Sequence, residues 1–339
     1  MIFVISVLSS CKRENISELS DSFHLKSNGS DMPVHVFGNA TDQTFIILLH
    51  GGPGDNGLAY RSGMYAEKLE ERYAMVYWDQ RGQGMSQGSF TKDNLTVNEM
   101  AEDLYNLILT LKLKYGQNIS IFLMGHSWGG TLGTYFMVKD SYQEMINGWI
   151  EVDGAHDIPL LNKVVVEMFD TIGTAQIALG NSKSEWRRLV KWANNIDTSN
   201  INLNVGSEIN SNAFYAEDLL WEDGIIKDES EYPKIWDIIS SPVNFLTSLY
   251  SGAMTNSITL NEVEFISLSN QLYKITKPTL LLWGKYDFVV SPYLATDAYN
   301  KISSSHKKVV IFENSGHSPM DCEPQLFIDE VINFVDQHR

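Results

Sequence analysis

Short apolar runs alternate along the chain with longer segments in which apolar residues recur every three or four positions. Runs at 32–37 (MPVHVF), 44–49 (TFIILL), 74–78 (AMVYW), 119–124 (ISIFLM), 146–152 (INGWIEV), 278–283 (PTLLLW) and 308–312 (KVVIF) have the length and β-branched content of buried strands. The clearest helix is expected over Val97–Tyr115. Thr96 and Glu99 form a capping box at its start, Gly116 closes its end, and Met100, Leu104, Leu107, Ile108 and Leu111 give it one apolar stripe. A last helix begins near Pro324 and packs through Leu326, Phe327, Val331, Phe334 and Val335. Strand and helix in alternation predict an α/β fold with a mostly parallel central sheet and helices on both faces.

Between about Ala155 and Phe265 the rhythm changes. Strand-like runs vanish while Trp, Asn and acidic residues accumulate, as in SEWRRLVKWANNID and AEDLLWEDG. This stretch is expected to be an inserted helical lid over the carboxyl edge of the sheet, the edge at which open α/β sheets bind ligands. The expected organisation is therefore a leader and tether over 1–22, a first core part over 23–154, the lid over 155–265 and a second core part over 266–339.

Composition narrows the class. With 42 acidic against 25 basic residues the net charge is −17, which argues against nucleic acid as a partner and is compatible with a cationic ligand. Only Cys11 and Cys322 occur, so no disulfide framework is implied, and no apolar run is long enough to span a bilayer.

The candidate chemistry centres on GHSWGG at 125–130. A G-x-S-x-G pentapeptide arises by chance about 0.1 times in a chain this long, so its context decides its weight. Here an apolar strand precedes it, and Leu132, Tyr135, Phe136 and Lys139 follow at helical spacing. That is the strand–turn–helix setting of a nucleophile elbow at Ser127. A serine hydroxyl needs a base to take its proton and an acid to orient that base. Asp287 and His317 follow in the order Ser, Asp, His, each in a loop just beyond an expected strand. Glu151 and Asp153, which end the neighbouring strand, are the alternative acids, with Asp287 favoured. Acyl transfer also needs amide donors for the developing oxyanion. Trp128, directly after the serine, is the first, and Gly52 in HGGPG is the second, with Gly51 next. His50 is expected to orient that loop. No cofactor or metal is expected: no H-E-x-x-H or C-x-x-C occurs, and His50, His126, His156 and His317 lack ligand spacing.

HGGPG (50–54), WDQRGQGMS (78–86), GHSWGG, the Asp287 loop and SGH (315–317) together resemble the α/β-hydrolase family, specifically its prolyl iminopeptidase branch. The resemblance covers about 40–155 and 266–335, and extends to the lid only in position and helical character. It implies a serine aminopeptidase that releases an N-terminal residue, often proline, from short peptides. It further implies lid glutamates that hold the substrate's free amine, for which Glu222 is the first candidate and Glu217 its neighbour. Asp79 and Arg81 are expected to form an ion pair bracing their loop. Two other functions use the same framework: an esterase or amidase acting on small acyl substrates, and a catalytically silent ligand-binding protein.

At the amino terminus, IFVISVLSSC followed by KRENISELSDS resembles the signal of a bacterial lipoprotein, with Leu8-Ser9-Ser10-Cys11 as the lipobox. Cys11 would then be the lipidated residue. The protein would be membrane-anchored, facing the periplasm or the cell exterior, with a cytoplasmic location as the alternative.

Overall fold

The computed structural model describes residues 16–227 and 245–339. Nine strands form one mixed sheet: β1 (Leu19–Ser27), β2 (Ser30–Gly38), β3 (Thr44–Leu49), β4 (Ala74–Trp78), β5 (Gln87–Gly88), β6 (Ser120–His126), β7 (Gly148–Val152), β8 (Thr279–Gly284) and β9 (Lys307–Phe312). Their order is β1-β2-β4-β3-β6-β7-β8-β9, with β5 paired to β2. The β1–β2 and β2–β4 pairs are antiparallel and every pair from β4 to β9 is parallel, so the expected mostly parallel sheet is what forms.

The helices are α1 (Gly63–Glu70), α2 (Val97–Tyr115), α3 (Trp128–Val138), α4 (Ile158–Leu179), α5 (Lys183–Ala193), α6 (Leu203–Glu222), α7 (Phe245–Val263), α8 (Tyr293–Lys301), α9 (Pro319–Cys322) and α10 (Pro324–His338). The inner strands read as continuous apolar runs because both of their faces are covered. In β3, Phe45, Ile47 and Leu49 join the core under α2, α3 and α8, while Ile46 and Leu48 join the core under α1 and α10. The capping expected for α2 is present: Thr96 accepts the Glu99 amide at 3.2 Å, and Gly116 ends the helix.

The amino-terminal boundary differs from the expected one. β1 begins at Leu19 and pairs with β2 along its whole length, so residues 19–22 belong to the sheet and not to a tether. Cys11 and the lipobox lie outside the described residues. In the inserted region α4 to α7 are helical, as the loss of strand-like runs predicts. Of the four tryptophans in the insertion, Trp186 is fully buried and packs against Phe288, and Trp192 meets Phe169 edge-on. Trp221 is exposed, and Trp236 lies outside the described residues.

Candidate active site

The carboxyl edge of the parallel strands collects the candidate residues. β6 runs into α3 through a single residue, Ser127, held at φ 57° and ψ −117°. A non-glycine residue at such angles is strained, and persists only where its surroundings fix it. Here the Ser127 amide donates to the Val152 carbonyl at 3.0 Å, and its carbonyl accepts the Gly130 amide at 2.9 Å. The flanking glycines are required by space. A Cβ on Gly125 would meet the Gly129 carbonyl, and one on Gly129 would fall on the Leu49 carbonyl. The strand-to-helix turn is thus so tight that G-x-S-x-G is the spacing it tolerates.

Asp287 follows β8 and His317 follows β9. Asp287 is fully buried and its Oδ2 lies 2.9 Å from His317 Nδ1, while Oδ1 accepts the Val290 amide at 2.6 Å. Asp287, rather than Glu151, is therefore the acid that touches His317. Burial pushes the His317 imidazole down, to about 4, against the opposing pull of the Glu217 carboxylate. A histidine so placed is neutral near pH 7 and free to accept a proton.

His126 ties this base to the elbow. Its Nε2 donates to the His317 carbonyl at 2.7 Å, and its Nδ1 accepts from the Tyr60 hydroxyl at 2.7 Å, which in turn accepts the Gly51 amide at 2.9 Å. Burial, seconded by the nearby His317, pushes His126 down to about 3, so it serves as a neutral relay with one fixed tautomer. The same bonds treat the two oxyanion candidates in HGGPG differently. Gly51 has its amide committed to Tyr60. The Gly52 amide has no acceptor among the described residues, and the Trp128 amide sits at the first position of α3, where no intrahelical acceptor exists.

The WDQRGQGMS segment braces that loop, though not through the expected ion pair. Arg81 does not meet Asp79. It pairs in bidentate fashion with Asp103 of α2, both bonds at 2.7 Å and both side chains buried. Asp79 instead accepts the Gly57 and Met85 amides, both at 2.8 Å. Gln80 accepts from the Trp128 indole at 2.8 Å and donates to the His50 carbonyl at 3.1 Å, and Gln83 accepts the Gly54 amide at 2.6 Å. His50 holds the Gly51 carbonyl at 2.9 Å, as an orienting residue should. Gln80, Gln83 and Tyr60 were not singled out by sequence; their signal was present for the glutamines, which sit inside the quoted motif, and absent for Tyr60.

The two lid glutamates part company. Glu222 is exposed at the end of α6 and faces solvent. Glu217 turns toward the core, where Oε1 accepts the Phe288 and Val289 amides at 2.8 and 3.2 Å and Oε2 accepts the His317 amide at 2.9 Å. It therefore clamps the loops that carry Asp287 and His317. Four of the eight acidic residues between Glu217 and Asp237 (Asp228, Glu229, Glu231 and Asp237) lie outside the described residues.

His126, Asp153 and His317 bring potential ligand atoms within 4.8 Å of one another. Both ring nitrogens of His126 and Nδ1 of His317 are already hydrogen-bonded, so a metal would have to break the relay described above. A cleft of about 200 Å³, lined in part by His306, Lys308, Glu330 and His338, lies at the amino-terminal ends of β8 and β9, away from Ser127.

Residues 44–324 match the family model described as alpha/beta hydrolase fold, and the chain belongs to that family. Several of the chain's relatives are named proline iminopeptidase. It is 28% identical over 306 residues to the proline iminopeptidase of Saccharolobus solfataricus, covering 86% of this chain and 84% of that protein. It is 22% identical over 319 residues to the probable aminopeptidase YbaC of Bacillus subtilis, covering 86% and 89%. The crystal structure of VinJ shares the fold with a TM-score of 0.66 at 17% identity, covering 94% of this chain and 99% of that one.

Proposed function

We propose that this hydrolase is a serine aminopeptidase that releases the N-terminal residue, often proline, from short peptides through an acyl-enzyme. One observation carries the reading: a serine held at φ 57° between strand and helix, on the edge where Asp287 fixes Nδ1 of a buried, neutral histidine. Ser127 Oγ attacks the scissile carbonyl as His317 Nε2 takes its proton. The oxyanion forms against the amides of Trp128 and Gly52, a pair in which one donor is worth roughly 3 kcal/mol. Collapse expels the amine, which receives the proton from His317, and water then cleaves the ester by the same route. The relatives named proline iminopeptidase and probable aminopeptidase support the peptide substrate.

A fluorophosphonate probe is expected to label Ser127 covalently, and Ser127→Ala to abolish labelling and turnover together. Substrates with a free α-amine are expected to react at least about tenfold faster than their N-acetylated counterparts, because a blocked amine leaves a recognising carboxylate unpaired. Equal rates on both would make the protein an esterase or amidase, and unlabelled Ser127 would make it a binding protein. We further propose that Cys11 is lipidated and anchors the chain to a membrane. The full-length product should then partition into detergent, and Cys11→Ser should release it; a soluble wild-type product would refute the anchor.

A further inference from the structure

Three carboxyl groups crowd around His317: Asp287 from the loop after β8, Glu217 from α6 and Asp153 from the loop after β7. Asp153 and Asp287 are fully buried and in side-chain contact with each other. Their hydrogen-bond donors are unequally shared. Glu217 accepts three backbone amides. Asp287 accepts the Val290 amide on Oδ1 and faces His317 Nδ1 on Oδ2. Among the described residues Asp153 accepts a single donor, the Gly284 amide at 2.9 Å on Oδ1, while its Oδ2 is buried with no donor directed at it. An ionised Asp153 would thus hold a naked oxygen against the Asp287 carboxylate, and two buried like charges in contact do not both persist.

We infer that Asp153 is a carboxylic acid that keeps its proton and donates it to Asp287, making it a positioning residue behind the Ser127–His317–Asp287 line. The donor inventory assigns the proton to the member of the pair with the fewest other partners. The electrostatics agree: burial first, and then the charge of Asp287, hold Asp153 well above the usual carboxylate range. Burial raises Asp287 as well, but the contact with Asp153 works in the opposite direction, as it does when Asp153 is the donor. Glu217, His126 and His317 are the other titratable groups facing the pair: the Glu217 carboxylate pushes both aspartates up, and burial keeps both histidines neutral near pH 7.

Asp153 is built to stay where it is. Its backbone occupies the left-handed region at φ 45°, and its amide donates to the Leu282 carbonyl at 3.0 Å, so main chain and side chain are both pinned to the end of β8. The proton gives Asp287 a second donor besides the Val290 amide. It also removes one negative charge from the cluster, so that His317 is held in the right tautomer without being driven to the charged form.

This inference rests on the serine-hydrolase reading for its consequence, though not for its protonation state. Two readouts separate them. In isotope-edited infrared spectra at neutral pH the full-length protein is expected to show a protonated carboxyl band that Asp153→Asn lacks. Persistence of every such band in the variant overturns the inference whatever the activity, whereas failure of Ser127 to label overturns only the hydrolase reading. The second readout is the pH profile of fluorophosphonate labelling. An asparagine amide can donate to Asp287 and its oxygen can accept from Gly284, so Asp153→Asn should label within about threefold of wild type with its acid limb unmoved, while Asp153→Ala should lose about tenfold or more. A downward shift of the acid limb by about one pH unit or more in Asp153→Asn would mean that an anion had been removed, and would overturn the inference.

Discussion

Two buried histidines stand at the same edge of the sheet, each with Nδ1 2.9 Å from a buried carboxyl oxygen, and they are driven in opposite directions. His317 faces Asp287 and is pushed down to about 4. His156 faces Glu151, and although burial opposes its charge, it is raised to about 9. Two things raise His156: first the charge of Glu151 on Nδ1, and then a second carboxylate beyond the other ring nitrogen. His156 Nε2 lies 3.6 Å from Asp297, whose carboxylate is itself held low despite partial burial by His156, Lys301 and Ser269. Among the described residues no carboxylate forms an ion pair with His317 Nε2, and the acid on its Nδ1 is shared with Asp153. A carboxylate at each end makes imidazole a fixed cation that struts the β7 loop against α8; one moderated carboxylate and an open nitrogen make it a base. Motif and residue type are alike, and the second partner decides the role.

The largest effect expected from breaking this contrast is on the catalytic side. Asp287→Asn should leave His317 in the wrong tautomer and cut turnover by about 10⁴-fold while leaving the thermal midpoint close to wild type, as steady-state kinetics and calorimetry would register. On the structural side, His156→Ala abandons buried Glu151. A loss of about 3 kcal/mol or more in denaturant unfolding is expected, with labelling of Ser127 intact in the folded fraction. An equal fall in both readouts would erase the distinction between the two histidines.

A pH titration sharpens the contrast with smaller effects. His156 titrates near 6.5 in the unfolded chain and at about 9 in the folded one, so its contribution is present in full below 6.5 and drains away as pH rises through 9. Unfolding midpoints are therefore expected to fall between about pH 7 and 10. The acid limb of labelling should lie below the ordinary histidine value of about 6.5, since burial keeps His317 neutral. The smallest effect belongs to Glu222→Gln, where a solvent-facing carboxylate loses its charge: less than about twofold on the preference for free amines, measured on paired free and acetylated substrates.

The sheet, α2 and the serine elbow were legible because their signals are local: apolar runs, a capping box, glycines at a forced approach. β1 was not legible. It is an edge strand whose LSDSFHLKS buries only Leu19, Leu25 and Ser27 deeply, so its polar face reads as tether. The Asp79–Arg81 pairing failed for the opposite reason, since the true partner of Arg81 is 22 residues away on α2 and only the fold brings it near. Glu217 and Glu222 are five residues apart on one helix, about 140° around its axis, so a single helix could not turn both inward. Periodicity alone separates them; it does not say which one faces the site.

The clamp made by Glu217 has a mechanical corollary. Its three acceptor bonds run from α6 to the segments that hold Asp287 and His317, so the helix and those two residues are one linked assembly. Any excursion that lifts α6 away from the core must unhook the His317 amide and the turn after Asp287 in the same movement. The position of α6 and the seating of His317 are therefore set by the same three bonds.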